Sequence, residues 1–186
     1  MTQIYLKKLE LSLSEIDAER LKGNFFEGYG DTFRQYFIKD QAYLDEIIKS
    51  RVQFDIAPDW TAFCEVSDTG VGPHSDQSSV ALNYYIDPAG CITTFWKTKF
   101  ETAGTIEPQL QQDGTAIEND VRTYSVEELI PAASFIAKKG DAYLLNIKQI
   151  HSATKFTNNS ASRKILRWMW DSRDFETVFN SIKILD

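Results

Sequence analysis

The chain has 186 residues, of which 42% are hydrophobic, 13% aromatic and 25% charged, a composition that excludes a disordered chain. At this size roughly 70% of the unfolded surface can be buried, so a core forms without disulfides or a structural metal, and one domain spanning 1–186 is expected. Twenty Lys and Arg against 27 Asp and Glu give a formal charge of −7, a poor match for nucleic acid.

Along the chain, Ile4 to Leu13 reads as a strand with apolar alternation at Leu9, Leu11 and Leu13. Ser14 to Leu21, ending at Gly23, reads as a short helix. Asp40 is placed to cap a helix running to Ser50, with Tyr43, Ile47 and Ile48 on its inner face. After Arg51 the pattern changes to short β-rich runs: Val52 to Ile56, Thr61 to Val66, Val80 to Ile86, Ile92 to Phe100, Ser134 to Ala137, Ala142 to Ile147 and Lys164 to Trp170. Asp87-Pro88-Ala89-Gly90 is a turn between two of them. Residues 1–58 therefore read as helical and strand support, 59–172 as a β sandwich or barrel, and 173–186 as an extension. Residues 101–125 are polar, carry Gly104 and Gly114, and read as a candidate lid loop or a plain insertion. Two cysteines, Cys64 and Cys91, read as reduced thiols. The opening stretch lacks the apolar core and cleavage site of a secretory signal, and no apolar run approaches the ~20 residues that span a bilayer; a cytoplasmic protein is expected.

The chain has two histidines, His74 and His151. In Gly72-Pro73-His74-Ser75-Asp76 the imidazole and the carboxylate fall on one side of an extended segment, because strand side chains alternate. That pair can hold one edge of a divalent metal, and a second histidine would complete the two-histidine, one-carboxylate face of a non-haem Fe(II) oxygenase. His151 follows the turn Lys139-Gly140-Asp141 and an apolar strand. Twelve residues later Arg163 opens Arg163-Lys164-Ile165-Leu166-Arg167-Trp168-Met169-Trp170. Arg163, Ile165, Arg167 and Met169 share one face of that strand; Lys164, Leu166, Trp168 and Trp170 share the other. With bulky apolar groups on both faces the strand is covered on both sides. A buried arginine there needs an anion: a ligand carboxylate or an Asp or Glu of the protein.

His74-Ser75-Asp76, Leu82-Asn83-Tyr84-Tyr85-Ile86, Gly90, the Gly140-Asp141 strand, His151 and Arg163 together resemble the Fe(II)/2-oxoglutarate-dependent oxygenases over roughly residues 60 to 170. The resemblance implies an α+β protein with a double-stranded β-helix, or jelly-roll, core and N-terminal helices packed on one sheet. It implies His74, Asp76 and His151 as ligands of Fe(II), Arg163 on the distal carboxylate of 2-oxoglutarate, Tyr85 on that same carboxylate, and O₂ as the oxidant. Asn83 shares Tyr85's face as a cosubstrate contact or an ordinary interior residue. Arg167 is a further candidate contact to substrate or cosubstrate, and an alternative to Arg163. The pair Tyr84 and Tyr85 points toward a prolyl-hydroxylase-like branch, with a small-molecule or peptide substrate. Ala89-Gly90 departs from the two glycines common at that turn.

Two rival readings stand beside this one. A cupin-like jelly-roll protein would hold a metal without oxygenase activity and would have no need of Arg163. A non-enzymatic binding module would carry two incidental histidines and no metal.

Overall fold

The computed structural model describes residues 4–29, 33–67, 70–76, 78–101, 104–106, 109–110, 116–117, 121–155 and 161–185. Its strands are β1 (Leu6–Leu9), β2 (Lys22–Tyr29), β3 (Phe33–Ile38), β4 (Val52–Phe54), β5 (Trp60–Val66), β6 (Val71–Ser75), β7 (Val80–Asp87), β8 (Cys91–Thr98), β9 (Thr105–Ile106), β10 (Gln109–Leu110), β11 (Ala116–Ile117), β12 (Arg122–Thr123), β13 (Leu129–Ile136), β14 (Ala142–Leu145), β15 (His151–Lys155), β16 (Arg163–Trp170) and β17 (Ile182–Ile184). The helices are α1 (Ala18–Leu21), α2 (Gln41–Ile48) and α3 (Phe175–Ser181). None is long and apolar enough to cross a membrane.

Two antiparallel sheets carry the architecture. One runs β1-β14-β7-β16-β5-β3-β2 and the other β13-β8-β15-β6-β12-β9. Eight strands at the centre, β5 to β8 and β13 to β16, divide four and four between them, in the orders β14-β7-β16-β5 and β13-β8-β15-β6. That interleaving, with antiparallel pairing throughout, is a jelly roll.

The amino-acid pattern accounts for the layering. On β16, Ile165 and Met169 point between the sheets into a cluster with Ala62, Cys64, Tyr85, Phe95 and Leu145. Leu166, Trp168 and Trp170 point the other way, into a second cluster that also contains Tyr43, Leu44 and Ile47 of α2 and Phe175 and Val178 of α3. The helix begins where the sequence asks it to: the Asp40 carboxylate accepts the Tyr43 N–H at 2.9 Å. Ile48, expected on the inner face, is half-buried, and Leu44 takes its place. Cys64 and Cys91 are buried thiols that form no disulfide.

Further features differ from the expectation. The helix expected from Ser14 to Leu21 is only α1, which starts at Ala18 behind the Asp17 cap. The strand expected from Ile4 ends at Leu9, where the β1–β14 ladder ends. β2 and β3 pair antiparallel and lengthen the first sheet beyond β5, where no strand was expected. In 101–125 the described parts include strands: β12 pairs with β6 on one side and β9 on the other, so Thr123 lies opposite His74 and Arg122 opposite Ser75. The rest of that candidate lid (102–103, 107–108, 111–115, 118–120) lies outside the described residues.

Candidate metal centre

His74 is the last residue but one of β6, and Asp76 lies just beyond the strand. His151 opens β15, which pairs with β6 so that His151 sits opposite His74. The two imidazole centroids are 4.3 Å apart. Asp76 lies between them, with Oδ1 3.3 Å from His74 Nε2 and Oδ2 3.8 Å from His151 Nε2. Ligand atoms of the three residues all fall within 4.8 Å of one another. Donors in adjacent positions on one ion, at bond lengths of ~2.1 Å, are separated by ~3 Å, so a small closure brings the set onto a common centre.

Backbone carbonyls orient both rings. His74 Nδ1 donates to Gly72 O at 2.7 Å and His151 Nδ1 to Gln149 O at 2.9 Å. Each bond places the proton on Nδ1 and leaves Nε2 facing the carboxylate, the tautomer a metal requires. These two carbonyls leave no trace in the sequence, because any residue supplies one. The approach is tight at Gly70, in the left-handed region at φ +71, where a Cβ would lie 2.3 Å from Ala153 O on β15; glycine is needed there.

Electrostatics tie the three groups together. Burial pushes the Asp76 carboxyl up, but the His74 hydrogen bond and the charges of His74, His151 and Arg167 outweigh it and hold the group below the usual carboxylate range. Burial also works against a charged His74, yet the hydrogen bond and charge of Asp76 lift it above the ordinary imidazole value. Burial, then the neighbouring His74 charge, hold His151 down to about 3.

Arg163 and Arg167 line the same cavity as the triad. Arg163 is 3% exposed. It donates from one terminal nitrogen to Tyr85 Oη at 2.9 Å and from the other to Thr93 Oγ1 at 3.4 Å. Its Nε is buried with no partner, and among the described residues no carboxylate lies within ion-pair distance of it. Among the described residues, the protein-internal ion pair considered for Arg163 is therefore not formed. Tyr85 meets the site through Arg163. Asn83 lines the cavity, but its Oδ1 accepts from Arg167 Nε at 3.0 Å. Arg167 also faces Asp76 Oδ2 at 3.9 Å.

The structure thus brings His74, Asp76 and His151 to one point and lines one cavity with Arg163, Arg167 and Asn83. Sequence reasoning missed Thr93, the second partner of Arg163, and Phe33, which lines the cavity from β3. Thr93 shared a β-rich run with no polar partner in view. Phe33 belongs to a strand that was not expected.

What fold and site define is a jelly-roll protein with a His-Asp-His cluster able to hold one metal ion. No protein-family model matches the chain, and no curated protein matches it. Among solved structures it is similar to vicilin from Corylus avellana (hazelnut), with a TM-score of 0.39 and 7% identity, over 85% of this chain and 31% of the vicilin chain.

Proposed function

We propose that this chain is an Fe(II)- and 2-oxoglutarate-dependent oxygenase, a hydroxylase acting on a small-molecule or peptide substrate in the cytoplasm. His74, Asp76 and His151 would hold the metal, and Arg163 the far carboxylate of the 2-oxo acid. The observation that carries this reading is Arg163: a guanidinium buried in the triad's cavity, its Nε without a hydrogen-bond partner and, among the described residues, no carboxylate beside it. Burying such a charge is costly unless an anion arrives to meet it, and a guanidinium suits a carboxylate through two parallel hydrogen bonds.

The donor set fits Fe(II): two imidazole nitrogens and one carboxylate on one face leave the remaining positions open. When bound, the iron and its 2-oxo acid supply oxidative decarboxylation by O₂ coupled to oxidation of a substrate C–H bond. The protein's own residues bind, orient and shield. Tyr85 Oη and Thr93 Oγ1 fix the guanidinium plane of Arg163. Val66, Leu145 and Ile165 wall the cavity with apolar groups that exclude water. The carbonyls of Gly72 and Gln149 hold the imidazoles in the ligating tautomer.

The test is direct. Fe(II)-loaded protein with ascorbate and O₂ is expected to bind 2-oxoglutarate, to release it to N-oxalylglycine and to form succinate. Metal-loaded protein that ignores both dicarboxylates would refute the reading.

A second reading is a cupin-like jelly-roll protein that holds a metal without oxygenase activity. It draws on the two features that need no cosubstrate, the barrel and the triad. It predicts metal binding without 2-oxoglutarate binding, and the same titration separates the two. The non-enzymatic module predicts no metal and no consequence of His74→Ala.

A further inference from the structure

Arg167 is 7% exposed, yet among the described residues the carboxylate oxygen paired with it, Asp76 Oδ2, is 3.9 Å away. Its one hydrogen bond among the described residues goes to a neutral amide, Asn83. Among the described residues lining the cavity, the fixed charges are Arg163, Arg167 and Asp76, a net charge of plus one with both imidazoles neutral. A divalent ion raises that to plus three, and a 2-oxo dicarboxylate lowers it to plus one. The unmatched charge falls on Arg167, because Asp76 then serves the metal and Arg163 serves the cosubstrate. A buried cation left in this state calls for one more anion.

The surroundings of Arg167 describe what carries that anion. The guanidinium carbon lies 5.6 Å from the centre of the Phe33 ring. Phe33, Gln35 and Phe37 share a face of β3, since alternate residues point the same way. Phe37 is 57% exposed and stacks on Phe26 at 4.5 Å, and Phe26 meets Trp60 edge-on at 6.1 Å. β3 thus sets the flat, uncharged ring of Phe33 beside Arg167 in the cavity of the metal cluster, and further aromatic rings follow along the same side of the strand.

Resting on the oxygenase reading, we propose that the substrate is a monoanion on a flat apolar body. Its charge pairs with Arg167 and its body lies against Phe33 and the neighbouring rings of β2 and β3. Arg167 is in this account a substrate-specificity residue and not part of the cosubstrate clamp.

The test uses the full chain loaded with Mn(II) and 2-oxoglutarate and two probes, phenylacetate and its neutral isostere phenylacetamide. Paramagnetic broadening of the probe ring protons by Mn(II) reports binding beside the metal. Phenylacetate is expected to bind at least about tenfold more tightly than the amide. That preference is expected to vanish in Arg167→Gln and to persist in Arg167→Lys, while 2-oxoglutarate affinity stays within about threefold of wild type in both. Circular dichroism checks folding; if Arg167→Gln does not fold, the wild-type probe pair and Arg167→Lys still decide. Equal binding of the two probes overturns the proposal, as does a loss of 2-oxoglutarate affinity in the folded Arg167 variants matching that of Arg163→Met. A wild-type protein that binds neither Mn(II) nor 2-oxoglutarate overturns the oxygenase reading and this inference together. Intact metal and cosubstrate binding without a probe preference sinks this inference alone.

Discussion

Replacing Arg163 with methionine is expected to stabilise the metal-free protein while abolishing its affinity for 2-oxo dicarboxylates. The guanidinium is buried, has two hydroxyl partners and no carboxylate among the described residues, and leaves Nε unsatisfied. Exchanging a buried ionic group for an apolar one of similar volume stabilises by about 1–4 kcal/mol. Against this, Tyr85 is 1% exposed and loses the donor to its hydroxyl, at about 1–2 kcal/mol. Taking the middle of each range, the net gain is about 1 kcal/mol, or a rise in Tm of roughly 2–4 °C for a chain of this length. Adding Tyr85→Phe to Arg163→Met removes the orphaned hydroxyl and is expected to return about 1 kcal/mol more, whereas Tyr85→Phe alone is expected to destabilise. Urea and thermal unfolding of the four metal-free proteins, followed by far-UV circular dichroism, measure these differences. A loss of 3 kcal/mol or more in Arg163→Met is the signature of a broken buried ion pair. It would refute the claim that this charge waits for a ligand.

His74→Ala and His151→Ala each remove one of three donors, and metal retained after loading and dialysis is expected to fall from about one ion per chain to background by elemental analysis. Ala89 adopts φ 49, a conformation that costs an L-residue about 1–2 kcal/mol. Glycine relieves that strain at an entropic cost of roughly 0.5–1 kcal/mol, so Ala89→Gly is expected to raise stability by about 0.5–1 kcal/mol; an unchanged urea midpoint would count against this. Burial pushes the Asp141 carboxyl up, but the Lys8 hydrogen bond at 2.7 Å and the Lys138 backbone N–H outweigh it and hold the group below the ordinary carboxylate value. A carboxyl depressed by folding contributes stability above its unfolded pKa of about 4. That contribution is lost as pH falls through the folded value, so the urea midpoints of wild type and Asp141→Asn are expected to differ at pH 7 and to converge below pH 4.

The jelly roll was legible where strands are short and β-branched or aromatic. Val80 to Ile86 and Arg163 to Trp170 are buried on both faces, and their composition says so without alternation. The β2–β3 pair was not legible, because its register shifts between Lys22 and Phe25 and again between Phe25 and Glu27. Each shift breaks the period of two that marks a strand. Helix α3 carried a readable start, with Asp174 accepting from the Thr177 N–H and Phe175 and Val178 three apart and buried, but seven residues fall below the length at which periodicity speaks. At the site, the ligand types and order could be read along the chain. The unpaired state of Arg163 could not, since it depends on which of 27 acidic residues comes near, and that is decided by sheet order.

β15 is hydrogen-bonded along both flanks, to β6 with His151 opposite His74 and to β8 with His151 opposite Phe95. A slip by one residue would turn the imidazole outward, and two ladders would have to break together for it to happen. The spacing of the donors is therefore inherited from a main-chain lattice woven before any ion arrives. Protein stripped by a chelator should keep its coordination face poised, so that recharging proceeds at the pace of ion entry and desolvation, with no refolding step in between.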